Sequence, residues 1–513
     1  MGIGQGIRWK NFTEPLLRKR NRNRNRANMS LTAKTTTGIL WNFSEQLARR
    51  GVGILVTLLL ARFLVPEDFG LVAMMAVFLA LGGSLMDSGF REALIRLESI
   101  TQEDYATAFY ANLVLGLISY GVLFSAAPSI AGFYEEPRLV ELIRVASLTV
   151  IIMSFQVVQV ASLSRKLNFK AQLKASFPAS VISGIVAVYL AYTGWGVWAL
   201  VSQTLLNALL HTALLWKMEG WRPTRQFSWP SIKGMYNFGY KLFLSGVLDT
   251  VFQNLYVIVI AKVFSAPVAG LYFFANKIKE LIVQQLVSSI QSVTYPALAS
   301  VQNDDARLKQ GYKKIVILMT MMLFPGILFT AALAEPIFQL LLPEQWSPAV
   351  PYFQLLCIVS VMLPLHSINL NILKVKGRSD LFLYLEIIKK SINGLVLFGT
   401  YQYGVHAIIF GQIATSVINY IPNSYFSSKL LNYGIREQIG DFVPTLIISF
   451  LAAGSGYILA KNVGWHPAIL VLVCAVFMVL IFFALNLLLN RKCYQVTTQY
   501  IFSILPIKRL RKT

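Results

Sequence analysis

Runs of about twenty apolar residues, divided by short polar stretches, recur along most of this 513-residue chain. At about 1.5 Å per residue, each run is long enough to cross a hydrocarbon layer of about 30 Å. One such run would be an anchor. A chain made almost wholly of them is a bundle within a bilayer, where the backbone finds hydrogen bonds only inside helices or closed barrels. The runs lack period-two alternation, which selects helices. The composition agrees: 13% of residues are charged, against about 25% in an ordinary soluble domain. The sequence therefore predicts an all-α polytopic membrane protein of about fourteen transmembrane helices. They lie near 38–63, 69–92, 104–127, 138–161, 170–192, 195–217, 236–263, 267–292, 312–333, 347–373, 380–401, 405–428, 441–461 and 466–489.

Lys and Arg total 46 against 23 acidic residues, a net charge of +23. On a soluble protein that excess would suggest nucleic acid. Here its distribution explains it. With the first arm in the cytoplasm, the inner segments hold 35 Lys and Arg. The outer rims hold four, Arg62, Arg138, Lys262 and Lys461, and seven more lie within helices. This bias places both termini in the cytoplasm and removes the need for a nucleic-acid partner. Residues 18–26, RKRNRNRNR, are low-complexity and basic. Residues 1–35 read as a disordered cytoplasmic arm, or as untranslated sequence before a start at Met29. The first apolar run is too long for a cleavable signal peptide. Cys357, Cys474 and Cys493 form no CxxC pair, and His211, His366, His406 and His466 form no HExxH, so neither a disulfide nor a metal is expected.

The chain repeats itself. Ala61-Arg62-Phe63-Leu64-Val65-Pro66 with Gly70-Leu71 is answered 200 positions later by Ala261-Lys262-Val263-Phe264-Ser265-Ala266 with Gly270-Leu271. Trp195-Gly196-Val197-Trp198-Ala199-Leu200 is answered 208 positions later by Tyr403-Gly404-Val405-His406-Ala407-Ile408. Six helices per repeat is an even number, so both repeats enter the membrane in the same sense and form two parallel six-helix lobes around a central cavity. The expected division is an N-lobe at 36–217, a cytoplasmic linker at 218–235, a C-lobe at 236–428, and two further helices with a basic tail at 429–513.

Polar stripes run inside the spans. Asn42, Glu45, Gln46 and Arg49 share one face of helix one, with Arg50 beside it. Arg49 is eleven residues from the inner end, about 16 Å along the axis and near the midplane. Helix seven carries Ser245, Asp249 and Gln253, and the 200-residue offset matches Asp249 to Arg49. Helix eight carries Asn276, Lys277, Lys279, Glu280 and Gln284; helix two carries Asp87, Arg91 and Glu92. Gln203, Asn207 and His211 lie on helix six, and Gln412, Thr415, Ser416 and Asn419 on helix twelve. A charge at the bilayer centre costs about 3 kcal/mol on insertion scales, so it faces a partner or water. The structural alternative is a set of private pairs: Glu45 with Arg49, Asp87 with Arg91, Glu280 with Lys277, and Lys389 or Lys390 with Glu386. The amides and His211 read more readily as interhelix hydrogen bonds than as ligands. Pro178, Pro325 and Pro364 bend their spans.

The opening Gly38-Ile39-Leu40-Trp41 with Ser44, the run Leu60-Ala61-Arg62-Phe63-Leu64-Val65-Pro66-Glu67-Asp68-Phe69-Gly70, Asp87-Ser88-Gly89-Phe90, and Leu163-Ser164-Arg165-Lys166-Leu167-Asn168-Phe169 together resemble a known family. It is that of the O-antigen and colanic-acid type polysaccharide flippases, within the multidrug/oligosaccharidyl-lipid/polysaccharide exporter superfamily. The resemblance runs from about residue 30 to the C-terminus and is most specific over 38–170. It implies a bacterial inner-membrane protein for lipopolysaccharide or exopolysaccharide biosynthesis. By alternating access, such a protein turns an undecaprenyl-diphosphate-linked oligosaccharide from the cytoplasmic to the periplasmic leaflet. A diphosphate in a wet cleft would pair with cations. Arg49, Arg50, Lys277 and Arg91 are therefore the candidates for its subsite. Asp249, Glu45, Asp87 and Glu280 are the candidates for a coupling proton or sodium ion, or for charge partners. Asn42, Gln46, Gln253 and Asn276 would line the cavity. No other cofactor is expected. The partners implied are the lipid-linked oligosaccharide, membrane lipids, and a polysaccharide polymerase with its export machinery.

Two rivals share the superfamily: an ion-coupled drug or cation exporter, which would favour acidic and aromatic residues, and a peptidoglycan-precursor flippase. A third is a membrane polysaccharide polymerase. Such an enzyme needs catalytic groups on a sizeable outer loop, whereas the longest outer loops here, 128–137 and 334–346, offer only Glu135, Glu136, Glu335 and Glu344. No paired-carboxylate, nucleophile–base or phosphate-cradling motif is present, and the sequence reads as a transporter rather than an enzyme.

Overall fold

The computed structural model describes residues 51–490 apart from Ser300, together with Cys493 and Gln495. Every regular element among them is a helix. The first half of the chain supplies α1 (Gly51–Ala61), α2 (Pro66–Asp87), α3 (Phe90–Arg96), α4 (Gln102–Tyr134), α5 (Leu139–Ala146), α6 (Leu148–Ser154), α7 (Val157–Arg165), α8 (Phe169–Tyr192) and α9 (Val197–Met218). The second half supplies α10 (Trp229–Val263), α11 (Ala266–Ala299), α12 (Asp305–Ala332), α13 (Ala334–Leu341), α14 (Ala349–Ser360), α15 (Leu363–Val375), α16 (Ser379–Thr400), α17 (Val405–Ile418) and α18 (Tyr420–Leu431). Then come α19 (Ile435–Asn462) and α20 (Pro467–Leu489).

Ten helices among the described residues are long and apolar enough to cross a bilayer, and α5–α6 with α7, bent by 42°, form an eleventh candidate. Two more, α11 and α16, have the length, at 34 and 22 residues. They are set apart by charges within them: Lys277, Lys279 and Glu280 on α11, Glu386, Lys389 and Lys390 on α16. The first predicted span, 38–63, is described only from Gly51 onward, and the basic arm lies outside the described residues.

Local chemistry sets the helix ends. Thr101 caps α4 by accepting from the Asp104 amide at 3.1 Å while Asp104 accepts from the Thr101 amide at 2.9 Å, a reciprocal box that satisfies two otherwise orphaned donors. Asp304 caps α12 from the Arg307 amide at 3.0 Å. Pro178 and Pro325 lie inside α8 and α12. Pro364 instead stands in the first turn of α15, just after the break that separates α14 from α15. There its missing N–H costs no helical bond. The two longest predicted outer loops are largely helical, because their Phe133, Tyr134 and Phe338 extend the apolar pattern of α4 and α13. The predicted linker 218–235 likewise gives way to α10 at Trp229, capped by Ser228 accepting from the Ser231 amide at 3.4 Å.

The two halves meet in a seam between α2 and α11. A Cβ built on Gly70 would lie 1.9 Å from the Ala266 carbonyl oxygen, and one on Gly270 would lie 1.7 Å from that of Pro66. These four residues are the two repeats' own signature positions, 200 apart. The contact is therefore reciprocal: Gly70 meets Ala266 as Gly270 meets Pro66. Only glycine admits backbones this close. Beneath it Phe69, Phe274 and Trp346 are sealed from solvent, with ring centroids 5.4, 5.1 and 4.1 Å apart. The Trp346 Nε1–H donates to the Ala61 carbonyl at 2.7 Å, Gln345 Nε2 to Leu64 at 3.1 Å, and Arg62 Nε to Leu341 at 3.2 Å. At this end Lys262 also pairs with Glu135 at 2.8 Å, and Arg138 with Glu67 and Glu136. Three of the four basic residues assigned to the outer rims thus stand at one end of the bundle, and two of them, Arg62 and Lys262, bond across the halves.

The opposite end has a second contact between the halves. Gly89, at φ +76°, lies against Gly239: a Cβ on Gly89 would be 2.7 Å from the Gly239 Cα. The positive φ there is a conformation glycine takes without strain. Ser231 Oγ donates to Asp104 at 2.7 Å and the Ser228 amide to Thr107 Oγ1 at 2.9 Å, so the start of α10 is docked on the first half.

Candidate functional site

Each half encloses polar space among its own helices. In the second half a cavity of about 480 Å³ is lined by α10, α11, α14–α15, α16 and α17. Its wall carries Lys279, Glu280, Glu386, Lys389 and Lys390, five charged side chains within spans where each would cost about 3 kcal/mol if it faced lipid. Two of its three lysines are paired with carboxylates. Lys390 is ion-paired with Asp249 on α10 and Lys389 with Glu386 one turn away. The Lys390 ammonium also lies 5.2 Å from the Phe252 ring centroid. His366 projects into the same cavity, bonded to the Ser416 carbonyl at 3.0 Å and to Asn423 Nδ2 at 2.8 Å through its other ring nitrogen.

In the first half two adjoining cavities of about 450 and 560 Å³ share Arg91, Thr149, Met153, Gln156, Val160 and Thr204. Among the described residues their only charged lining residues are Asp87 and Arg91, paired at 2.9 Å between the end of α2 and α3, with Arg91 reaching Glu92 at 3.1 Å. Gln172, Gln203, Asn207 and His211 supply most of the remaining polar wall.

These positions sort the sequence candidates. Asp87 with Arg91 is the self-contained helix pair offered as the structural alternative. Glu280 does not pair with Lys277; it accepts from Asn276 Nδ2 at 2.9 Å, one turn back on α11. Asp249 pairs with Lys390 on another helix, an i to j contact that no helical spacing could reveal. Gln253 lines the second-half cavity. Lys277 lies seven residues past Gly270, two turns along the same face of α11. No ion pair is found for it among the described residues; its ammonium stands 5.9 Å from the Phe273 ring centroid. Asn42, Glu45, Gln46, Arg49 and Arg50 lie outside the described residues. Gln412 donates to the Tyr272 hydroxyl at 3.0 Å, Asn419 to Asn393 at 2.9 Å, and Asn207 to Ser183 at 3.2 Å. These are the interhelix bonds expected of such residues.

Sequence reasoning passed over Gln156 and left His366 as one scattered histidine. Gln156 sits in the break between α6 and α7, and His366 in the first turn of α15, 210 positions later. Extending the repeat beyond its two signature motifs would have paired them. Among the described residues no group of three His, Cys, Asp or Glu could hold a metal ion.

Comparison with known proteins agrees with this architecture. The chain is 24% identical over 437 residues to the lipopolysaccharide biosynthesis protein WzxC of Escherichia coli K12, covering 82% of this chain and 88% of that one. It is 25% identical over 432 residues to the succinoglycan biosynthesis transport protein ExoT of Rhizobium meliloti, covering 82% and 87%. Its fold matches the lipid II flippase MurJ in an inward closed conformation with a TM-score of 0.69 at 14% identity, over 88% of this chain and 99% of that one. It also matches an inward-facing multidrug resistance transporter of the MATE family with a TM-score of 0.57 at 17% identity, over 75% and 96%. The model of the family described as "Polysaccharide biosynthesis protein" matches residues 59–351, and the chain belongs to that family: a multi-pass membrane transporter rather than an enzyme.

Proposed function

We propose that this protein is a flippase that carries an undecaprenyl-diphosphate-linked oligosaccharide from the cytoplasmic to the periplasmic leaflet of a bacterial inner membrane, by alternating access. Fourteen helices would form two six-helix lobes and a C-terminal pair, with both termini cytoplasmic. The observation that carries the reading is Lys277. Its Cα lies eleven residues into α11, about 16 Å along the axis, on the seam face, and among the described residues no ion pair neutralises it, in contrast to Arg91, Lys389 and Lys390. A lone ammonium at that depth is tolerated when it meets water or an anion. A diphosphate is such an anion, and Arg49 and Arg50, on helix one, would complete its subsite.

The charged second-half cavity is the candidate coupling site. Asp249 is held by Lys390, so a coupling proton or sodium ion would act by exchanging with that ammonium. The same pairing disfavours a drug or cation exporter, because Asp249 and Glu386 are each already occupied by a lysine. Membrane lipids, a polysaccharide polymerase and its export machinery are the partners this reading implies.

The test is translocation of a fluorescent undecaprenyl-diphosphate oligosaccharide in proteoliposomes. The Arg49→Ala/Lys277→Ala double variant is expected to lose at least about a hundredfold in rate, the worth of two charge-assisted hydrogen bonds. Wild-type transport by that variant at normal expression removes the diphosphate subsite.

A further inference from the structure

The cavities of the two halves are duplicates of one another. Leu79, Ala80 and Gly83 of the first half correspond at 200 positions to Lys279, Glu280 and Val283 of the second, and both sets line cavities. Thr149, Met153, Gln156 and Val160 correspond at 210 positions to Val359, Leu363, His366 and Leu370, again lining both. Thr204, Asn207 and His211 correspond at 208 positions to Gln412, Thr415 and Asn419, likewise. One ancestral chamber therefore exists twice, and its chemistry has diverged. Where the second-half copy places Lys279 and Glu280, the first-half copy places Leu79 and Ala80, so among the described residues its charge is confined to the Asp87–Arg91 pair, and Gln156, Gln172, Gln203 and Asn207 supply most of its remaining polar wall.

Resting on the transport reading above, we infer that the first-half chamber is the saccharide subsite, which recognises the neutral, hydroxyl-rich part of the headgroup. Sugar hydroxyls donate and accept together, and primary amides do the same. A wall of amides can therefore exchange bound water for a glycan at little cost. The amides there have bonding capacity to spare. Among the described residues Gln203 makes no hydrogen bond. Asn207 spends its NH2 on Ser180 and Ser183, at 3.3 and 3.2 Å, which leaves its carbonyl oxygen. Gln156 accepts from Thr212 at 3.4 Å, which leaves its NH2. Polar groups in that state within a span are supported only by water or a polar ligand. The cavities of about 450 and 560 Å³ adjoin each other, and each lies in the size range of small-molecule sites, about 300–1,000 Å³.

The test measures binding of two lipids to the full chain in nanodiscs by native mass spectrometry: undecaprenyl diphosphate, and undecaprenyl diphosphate carrying one N-acetylglucosamine. The sugar-dependent gain in affinity is the readout. Gln203→Met, and Gln203→Met/Thr204→Val as a second variant of near-native shape, are expected to reduce that gain about tenfold while leaving affinity for the sugar-free lipid as in wild type. Retained sugar-free binding also reports that the variants fold. A variant that keeps the full sugar gain overturns the chamber assignment and leaves the transport reading standing, as does a wild-type protein that binds both lipids equally. A wild-type protein that binds neither lipid overturns the transport reading and this assignment with it.

Discussion

Two residues show how much a single side chain carries here. Trp346 is fully buried and bridges the halves through its ring and its Nε1–H. Trp346→Phe keeps most of the ring contact and loses the hydrogen bond to Ala61, at an expected cost of about 1 kcal/mol. Trp346→Ala also leaves a cavity and is expected to cost about 3–5 kcal/mol. Thermal unfolding in detergent separates the two. Lys390→Gln leaves the Asp249 carboxylate without its cation. A fully buried pair broken this way costs about 3–5 kcal/mol; Asp249 is 56% exposed, so about 1–2 kcal/mol is expected after solvent screening. The Asp249→Asn/Lys390→Gln double variant is expected to recover part of that loss, read as a positive coupling in a double-mutant cycle. The sequence identified Asp249 and Lys390 as buried charges but not as partners, since they stand on α10 and α16. Trp346 went unremarked, because in one dimension it is only an aromatic in an outer loop.

At the scale of the helices, the apolar runs were legible because hydrocarbon thickness dictates their length. The breaks were less so. The span predicted at 138–161 is three short helices with a 42° bend, and no proline or glycine at Phe155–Gln156 announces it. The seam was visible only as a repeat. Gly70-Leu71 and Gly270-Leu271 declared a duplication, but that the copies touch each other is a property of the axis between them. Gly270→Ala is expected to push α11 off the Pro66 carbonyl at a cost of about 1–3 kcal/mol. It should also raise thiol-reagent labelling of a cysteine placed at Leu64, which is buried at this seam. Gly70→Ala is expected to do the same. The double variant should cost less than the sum, because both methyl groups force the same separation.

The seam's rim is pH-dependent in a defined sense. The hydrogen bond from Lys262 holds Glu135 below the ordinary carboxylate range, and Arg138 does the same for Glu136. A depressed carboxylate contributes stability above its unfolded value and loses it as pH falls through the lower folded value. Labelling at Leu64→Cys is therefore expected to stay flat through neutral and mildly acidic pH, and to rise only below the usual carboxylate range.

For the whole molecule, charge placement was the most informative one-dimensional signal. Arg62, Arg138 and Lys262, assigned together to the outer rims, meet at one end of the bundle. Arg165 and Arg222 are clasped by backbone carbonyls at the opposite end, together with the Lys166–Glu219 pair at 2.6 Å. A C-terminal reporter fusion that is active only in the cytoplasm is expected to be active here, and a periplasm-dependent one silent. The twin chambers were not legible, since each assembles from five or more helices. Their shared origin emerges only when the lining residues are laid on the repeat.

In the proposed transport cycle, substrate passes between the halves when the seam at the Lys262 end opens. Joining Glu135→Cys to Lys262→Cys with a short reducible cross-linker locks that end, the native Cys357, Cys474 and Cys493 being buried. Translocation of the lipid-linked oligosaccharide in proteoliposomes is predicted to stop on cross-linking and return on reduction; undiminished translocation through the locked protein would contradict the account.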